Sequence, residues 1–251
     1  MEILVGLGVG LFAGFISGLV GVGGGTIIIP ILVLGLGYSQ HEAQGTALMA
    51  FAFPIFAAAT WNYYRFGRVR WRLAIGMSIA LAITSYLAAQ WVQSIDSQKL
   101  KQIFGVFLVI MAVYVFWKSF HPIEAKPAPQ SPKREFVIGL IVGALTGIIK
   151  GLTGLGGGVI IVPLLLLLAK IDQHTAQGTS LLTMTLPVAF MAAIPYWQHG
   201  HVRWMLVWGL LGGILIGSFL SSKWAQKLRG PLLAQIFAIT IGIMGILLLL
   251  R

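Results

Sequence analysis

The sequence contains itself twice. Gly21-Val-Gly-Gly-Gly25, Pro30 and His41-x-Ala-Gln-Gly-Thr46 return as Gly154-Leu-Gly-Gly-Gly158, Pro163 and His174-x-Ala-Gln-Gly-Thr179. Every motif moves by 133 residues (21 to 154, 41 to 174). The same shift carries Pro54 onto Pro187, Tyr63 onto Tyr196, and Gly67-x-Val-Arg-Trp71 onto Gly200-x-Val-Arg-Trp204. An ungapped copy of half the chain restricts the fold to two versions of one arrangement, unlike a short repeat array. In a membrane chain, glycine-broken apolar segments at matching places in two halves point to a transport site.

The membrane reading follows from charge. Only 9% of residues are charged and mean hydropathy is +0.92, where a soluble domain carries about a quarter charged residues. Several apolar runs reach the roughly 20 residues that cross a bilayer. Met1-Glu2 offers no basic start, so no cleavable signal peptide is expected. The net charge of +11 resides in short loops between apolar runs, where lysine and arginine set orientation, and nucleic acid is not an expected partner. Absence of cysteine removes disulfides and thiolate metal sites.

Each half reads as five helical segments: about 3–20, 26–36, 43–64, 72–93 and 99–119, then about 136–153, 159–169, 176–197, 205–226 and 232–250. This divides the chain into a first repeat (1–119), a Pro-rich cytoplasmic linker (120–135) and a second repeat (136–251). The second segment of each half, about 11 residues at 1.5 Å rise, covers only about 16 Å and cannot span. A short apolar helix after a glycine triplet predicts a broken or re-entrant helix near the midplane, buried in protein or lining a wet cavity. Pro54 and Pro187 are expected to kink the third segments.

Basic residues indicate how the halves are related. With Arg65, Arg68, Arg70 and Arg72 in the cytoplasm and an odd number of crossings per half, Lys118, Lys126, Lys133 and Arg134 fall on the same side. Lys170, Lys223, Lys227 and Arg229 join them. Only Lys99, Lys101, Arg203 and Arg251 then lie outside, with both termini. A same-orientation repeat would spoil this bias. The fold class expected is therefore an all-α polytopic integral membrane protein of two inverted-topology repeats.

Gly23, Gly24 and Gly25, and their counterparts Gly156, Gly157 and Gly158, each open a helix. Backbone amides there approach a ligand closely, and a helix N-terminus favours an anion without side-chain charge. The competing reading is close helix packing, which also suits Gly10, Gly14 and Gly18. Thr26 and the pairs Gln44 with Thr46 and Gln177 with Thr179 supply uncharged donors, or else cap and join helices. His41 and His174 lie nearer the membrane edge. Lys150 stands in an apolar run where the first half has Ser17; a lysine at that depth is a functional hypothesis, against the alternative that it snorkels to the edge. Trp61, Tyr63, Tyr64, Trp71, Tyr196, Trp197, Trp204 and Trp208 read as interfacial belts; for Asn62, Tyr63 and Tyr196 the weaker alternative is that they line a pathway. All six acidic residues fall outside the predicted spans, so neither a carboxylate proton relay nor a catalytic set is apparent.

These paired motifs resemble the TauE/SafE (TSUP) family of sulfite exporters. Its G-x-G-G-G loop with a following proline, A-x-x-T-S/A and G-x-V-x-W are matched by Gly21 to Pro30, Ala43 to Ala47 and Gly67 to Trp71, and again by Gly154 to Pro163, Ala176 to Ser180 and Gly200 to Trp204. The resemblance implies a prokaryotic plasma-membrane transporter, not an enzyme and without cofactor, for small sulfur-containing anions such as sulfite or a sulfonate. A small inorganic or organosulfur anion and membrane lipid are the expected partners, and a homodimer is left open. Alternating access by rocking of one half against the other is expected. Outward movement of an anion gains about 2.3 kcal/mol per charge per 100 mV with a negative interior. An anion channel, an importer and a proton-coupled carrier are the alternatives.

Overall fold

The computed structural model describes residues 1–20, 24–120, 131–155, 157–186, 188–225 and 230–250. Gly23, Gly156, Pro187 and most of the linker lie outside them. The first half comprises α1 (Glu2–Val20), α2 (Gly25–Pro30), α3 (Gln40–Phe51), α4 (Ala57–Arg65), α5 (Trp71–Val92) and α6 (Ser97–Phe120). The second comprises α7 (Pro132–Thr153), α8 (Gly158–Leu164), α9 (Gln173–Thr185), α10 (Val188–Gln198), α11 (Trp204–Ala225) and α12 (Gly230–Leu250). Among the described residues there is no strand. The bounds of α5 and α11 coincide under the 133-residue shift.

Local chemistry sets these boundaries. Ser39 caps α3 in a reciprocal capping box with Glu42, and Asp172 caps α9 by accepting from the Thr175 N–H at 3.0 Å, so each satisfies an orphan donor. Gly154, at φ 71°, ends α7 with its N–H on the Lys150 carbonyl, the left-handed stop that glycine supplies. After Pro30 and in the second half after Pro163 and Leu164, the short helices widen into π turns, Ile31–Gly35 and Leu165–Ala169. Proline has no N–H and its ring crowds the carbonyl four residues back, which disfavours a regular α-ladder at that point. The expected third segment, 43–64, is interrupted: residues 52–56 around Pro54 leave the helix and separate α3 from α4. Its counterpart, α9 with α10, meets at a 45° bend.

Trp71–Val92, Ser97–Phe120 and Pro132–Thr153 are each long and apolar enough to cross a membrane, and the bent α9–α10 pair passes as a fourth. The face of α6 that carries Ile103, Val106, Ile110, Val113 and Trp117 is exposed. In water such a stripe would be untenable; against lipid it is the expected surface.

Packing interlocks the halves. Gly6, Gly10 and Gly14 of α1 lie against Leu206, Leu210 and Ile214 of α11, and Gly139, Gly143 and Gly147 of α7 lie against Leu73, Met77 and Leu81 of α5. In both pairs the numbers rise together, so these helices run parallel. Small residues in register let the backbones touch, as membrane helices require when lipid offers no hydrophobic drive between them. The equivalent helices α6 and α12 run antiparallel instead, with Gly105 against Gly245 and Leu249, and Gly242 against Ala112. Two buried cores result. One joins α1, α2 and α3 to α10, α11 and α12, with α6 and the end of α5; the other joins α7, α8 and α9 to α5. Neither core belongs to one half.

Candidate functional site

Most of the residues singled out by sequence lie at contacts between the two halves or at the starts of the short helices α2 and α8. In α2 the Ile27 and Ile28 amides both reach the Gly24 carbonyl, at 3.1 and 2.9 Å; in α8 Ile160 and Ile161 reach Gly157, both at 3.0 Å. The preceding amides of Gly25, Thr26 and Gly158 come before the first intrahelical bond, so they point off the helix start. Gly157 holds φ 80°, ψ −28°, a left-handed conformation open to glycine. A side chain there would stand 3.6 Å from Thr146 Cγ2 and 3.4 Å from Met184 Cε. The start of α8 therefore abuts α7 at Thr146.

Lys150 lies one turn beyond Thr146 on the same face of α7 and is only 2% exposed. Helical side chains lean toward the helix N-terminus, so its ammonium is carried back along that face toward the start of α8. The three ion pairs among the described residues are Arg68–Asp172, Arg70–Glu135 and Arg203–Glu42; Lys150 is in none of them. Snorkelling to an edge is not what this burial describes. Among the described residues, buried side-chain atoms without a hydrogen-bond partner are Thr26 Oγ1, Thr146 Oγ1, the Tyr114 hydroxyl, and Nε2 and Oε1 of Gln40. An orphaned buried hydroxyl costs roughly 1–3 kcal/mol; of these groups Thr26 lies in the first turn of α2 and Thr146 beside the start of α8.

Gln44, Thr46, Gln177 and Thr179 have partners from the other half. The Arg203 N–H donates to Thr46 Oγ1 at 3.1 Å, and the Arg70 N–H donates to Thr179 Oγ1 at 3.1 Å. Gln44 Oε1 lies 2.7 Å from the Tyr196 hydroxyl, and Gln177 Oε1 accepts from Tyr63 at 3.1 Å. Between each Gln and Thr is a glycine, Gly45 or Gly178, closed against His201 or Arg68. Each Gln-Gly-Thr thus forms a junction with the G-x-V-R-W loop of the opposite half. Gln44 also donates to the Leu152 carbonyl at 3.4 Å, which brings it to the end of α7 beside Lys150.

Tyr196 is the residue that sequence reasoning undervalued. It is fully buried, and its hydroxyl proton is shared between Gln44 Oε1 and the Gly151 carbonyl at 3.1 Å. The signal was its constant shift from Tyr63, masked by position at a segment end. His41 is also buried, with Nε2 3.2 Å from the Val92 carbonyl, whereas His174 is exposed.

Loop electrostatics differ between the junctions. At one, Arg68 lies 3.6 Å from Asp172. Burial tends to raise the Asp172 carboxyl, but hydrogen bonds from Thr175 and the Arg68 charge outweigh it and leave it below the usual carboxylate range. Among the described residues no group of three histidine or acidic side chains is placed to hold a metal.

The sulfite exporter TauE/SafE family pattern matches residues 6–248. The chain belongs to this family. It is 25% identical to the probable membrane transporter protein YdhB of Bacillus subtilis, over 94% of this chain and 96% of that one. A probable membrane transporter protein of Methanocaldococcus jannaschii is 29% identical over 96% of this chain and 93% of its own. One from Xylella fastidiosa is 26% identical, over 100% and 96%. No solved structure matches the chain. TauE/SafE membership makes this a transmembrane transporter and not an enzyme.

Proposed function

We propose that the chain carries a small sulfur-containing oxyanion, sulfite or a sulfonate, outward through the seam between its two cores. The observation that carries this reading is Lys150: a cation at 2% exposure without a carboxylate partner among the described residues. A buried unpaired charge is costly, and an anionic substrate is the counter-ion that relieves it. The starts of α2 and α8, at Gly24 and Gly25 and at Gly157 and Gly158, supply amide donors. The unpartnered hydroxyls of Thr26 and Thr146 supply two more. Gly23 and Gly156, which precede Gly24 and Gly157 in sequence, belong to the same proposed donor set. Gln44, Thr46, Gln177 and Thr179 act by holding the junctions that border the site. The family description names sulfite, and the donor set suits an anion rich in oxygen.

The halves are taken as inverted repeats. Antiparallel packing of the equivalent helices α6 and α12 supports this. Because the cores are exchanged between halves, the moving bodies in alternating access are the two mixed cores rather than residues 1–119 against 136–251. The seam between them opens to one side at a time.

The test is flux into proteoliposomes of sulfite, sulfate, thiosulfate, sulfoacetate and chloride, for wild type and Lys150→Met. A charge-assisted hydrogen bond of about 1.5–3 kcal/mol corresponds to a roughly 10–150-fold fall in kcat/KM for the variant. Saturable flux of a sulfur oxyanion with that loss is expected. No flux of any anion, or an unaffected variant, overturns the reading; non-saturating flux makes the protein a channel.

A further inference from the structure

The two junctions share a backbone arrangement and differ in the side chains that close them. Where one has Arg68 beside Asp172, the other has His201 and Ser39 at the matching positions. The His201 ring lies between two more imidazoles. Its centroid is 5.0 Å from His41 and 6.2 Å from His199, the latter stacked at 14°.

The hydrogen bonds assign the protons. His201 Nδ1 is 2.9 Å from Gln93 Oε1, while Gln93 Nε2 donates to the Ala89 carbonyl at 3.1 Å, so Oε1 accepts and His201 carries Nδ1–H. His41 Nε2 faces the Val92 carbonyl at 3.2 Å and His199 Nδ1 the Pro195 carbonyl at 2.7 Å. A carbonyl only accepts, so both those nitrogens carry hydrogen. The second nitrogen of each ring has no hydrogen-bond partner among the described residues and remains a base. An imidazole nitrogen left free of hydrogen bonds takes up a proton in the physiological range, which is the chemistry these three rings share.

We propose that His41, His199 and His201 form a proton-binding site whose protonation releases the junction between α3 and the 199–203 loop, coupling anion passage to protons on that side of the membrane. This rests on the transport reading above. Two imidazolium rings 5.0 Å apart repel across the contact that closes the junction. The charged neighbours are few. Glu42 of α3 opposes the repulsion but is held by Arg203, Nε to Oε1 at 3.0 Å. Asp96, before α6, is turned to its own helix start, accepting from the Gln98 N–H at 2.9 Å. Tyr196 of α10 and Tyr38 beside Arg203 are neutral phenols.

Burial, then His41 and His199, hold the His201 imidazole below its ordinary value against the pull of Glu42. A base depressed in the closed state binds its proton more tightly once the junction opens. The closed junction is therefore intact above the ordinary histidine value of about 6.5 and weakens as pH falls through it.

The experiment uses the full chain in nanodiscs and proteoliposomes. Histidine-labelled NMR follows the imidazoles between pH about 5 and about 8, and flux is measured over the same range for wild type, His199→Gln, and His201→Arg with Ser39→Asp. The double variant copies the Arg68–Asp172 pair. Comparing variant with wild type at each pH cancels the substrate's own ionisation. Wild-type flux should rise by up to about tenfold per pH unit as the pH on that side falls, while one proton is bound on opening. The double variant should be flat and His199→Gln shallower. A flat wild type, or a double variant that keeps the wild-type profile, overturns the proposal. If no anion crosses at any pH the transport reading fails, yet the NMR still decides the cluster: three imidazoles titrating independently at the ordinary value remove the proton site alone.

Discussion

Replacing Gly14 by alanine measures how much of this fold depends on backbone contact between α1 and α11. A Cβ on Gly14 would stand 2.7 Å from Ile214 Cα and 2.8 Å from its carbonyl oxygen. Both atoms are main chain, so no rotamer change relieves them, and α1 must withdraw by about 0.7 Å to bring the 2.7 Å contact to an ordinary 3.4 Å. A gap of that size forfeits roughly a quarter to a half of each dispersion well along the shared interface, and overpacking of this kind costs about 1–3 kcal/mol. Gly8, on the same helix, has nothing within 4 Å of its virtual Cβ, so Gly8→Ala carries the same helix-propensity gain without the clash. The two variants should differ by that 1–3 kcal/mol, or roughly 2–12 °C in Tm at about 2–4 °C per kcal/mol. Thermal unfolding in nanodiscs reads the difference directly. A Gly14→Ala protein as stable as Gly8→Ala would refute the contact argument.

Tyr196→Phe removes the proton shared by Gln44 and the Gly151 carbonyl, leaving buried acceptors unpaired at a cost of about 1–3 kcal/mol; Tyr63→Phe should cost less, since Gln177 is only partly buried. Calorimetry of both variants checks the order. Thr146→Val exchanges an orphaned hydroxyl for a methyl, so stability should hold or rise by up to about 1 kcal/mol while KM for the anion rises roughly 2–12-fold. An unchanged KM would take Thr146 out of the site.

The duplication and the period of apolar runs were enough to locate nearly every helix, because membrane helices are written in length and charge. The glycine triplet and Pro30 marked α2 as too short to span, but not the π turn over Ile31–Gly35, which arises where a proline interrupts a ladder already confined by neighbours. Pro54 predicts a kink, whereas residues 52–56 leave the helix altogether; beyond the break α4 meets the second half, with the Thr60 and Thr185 hydroxyls 2.7 Å apart, a contact across 125 residues invisible to local propensity. The same limit explains the candidate site. Lys150 was legible alone, since charge in an apolar run is a local anomaly. For Gln44 and Thr46 the sequence leaves ligand and helix-joining roles side by side, because their partners, Tyr196 and Arg203, lie in the other half and no periodicity reports which half a helix packs against.

The exchange of helices between halves has a consequence for biogenesis. The glycine face of α1 is covered by α11, whose first residue is Trp204. At about 5–20 residues per second of synthesis, α1 waits on the order of 10–40 s in the bilayer before its partner leaves the ribosome. Through that interval its exposed backbone row is open to any small-residue helix nearby, so assembly depends on shielding until α11 has been made. Severed in the linker, the two halves should be unproductive apart and should assemble when made together, each bringing the other its missing wall.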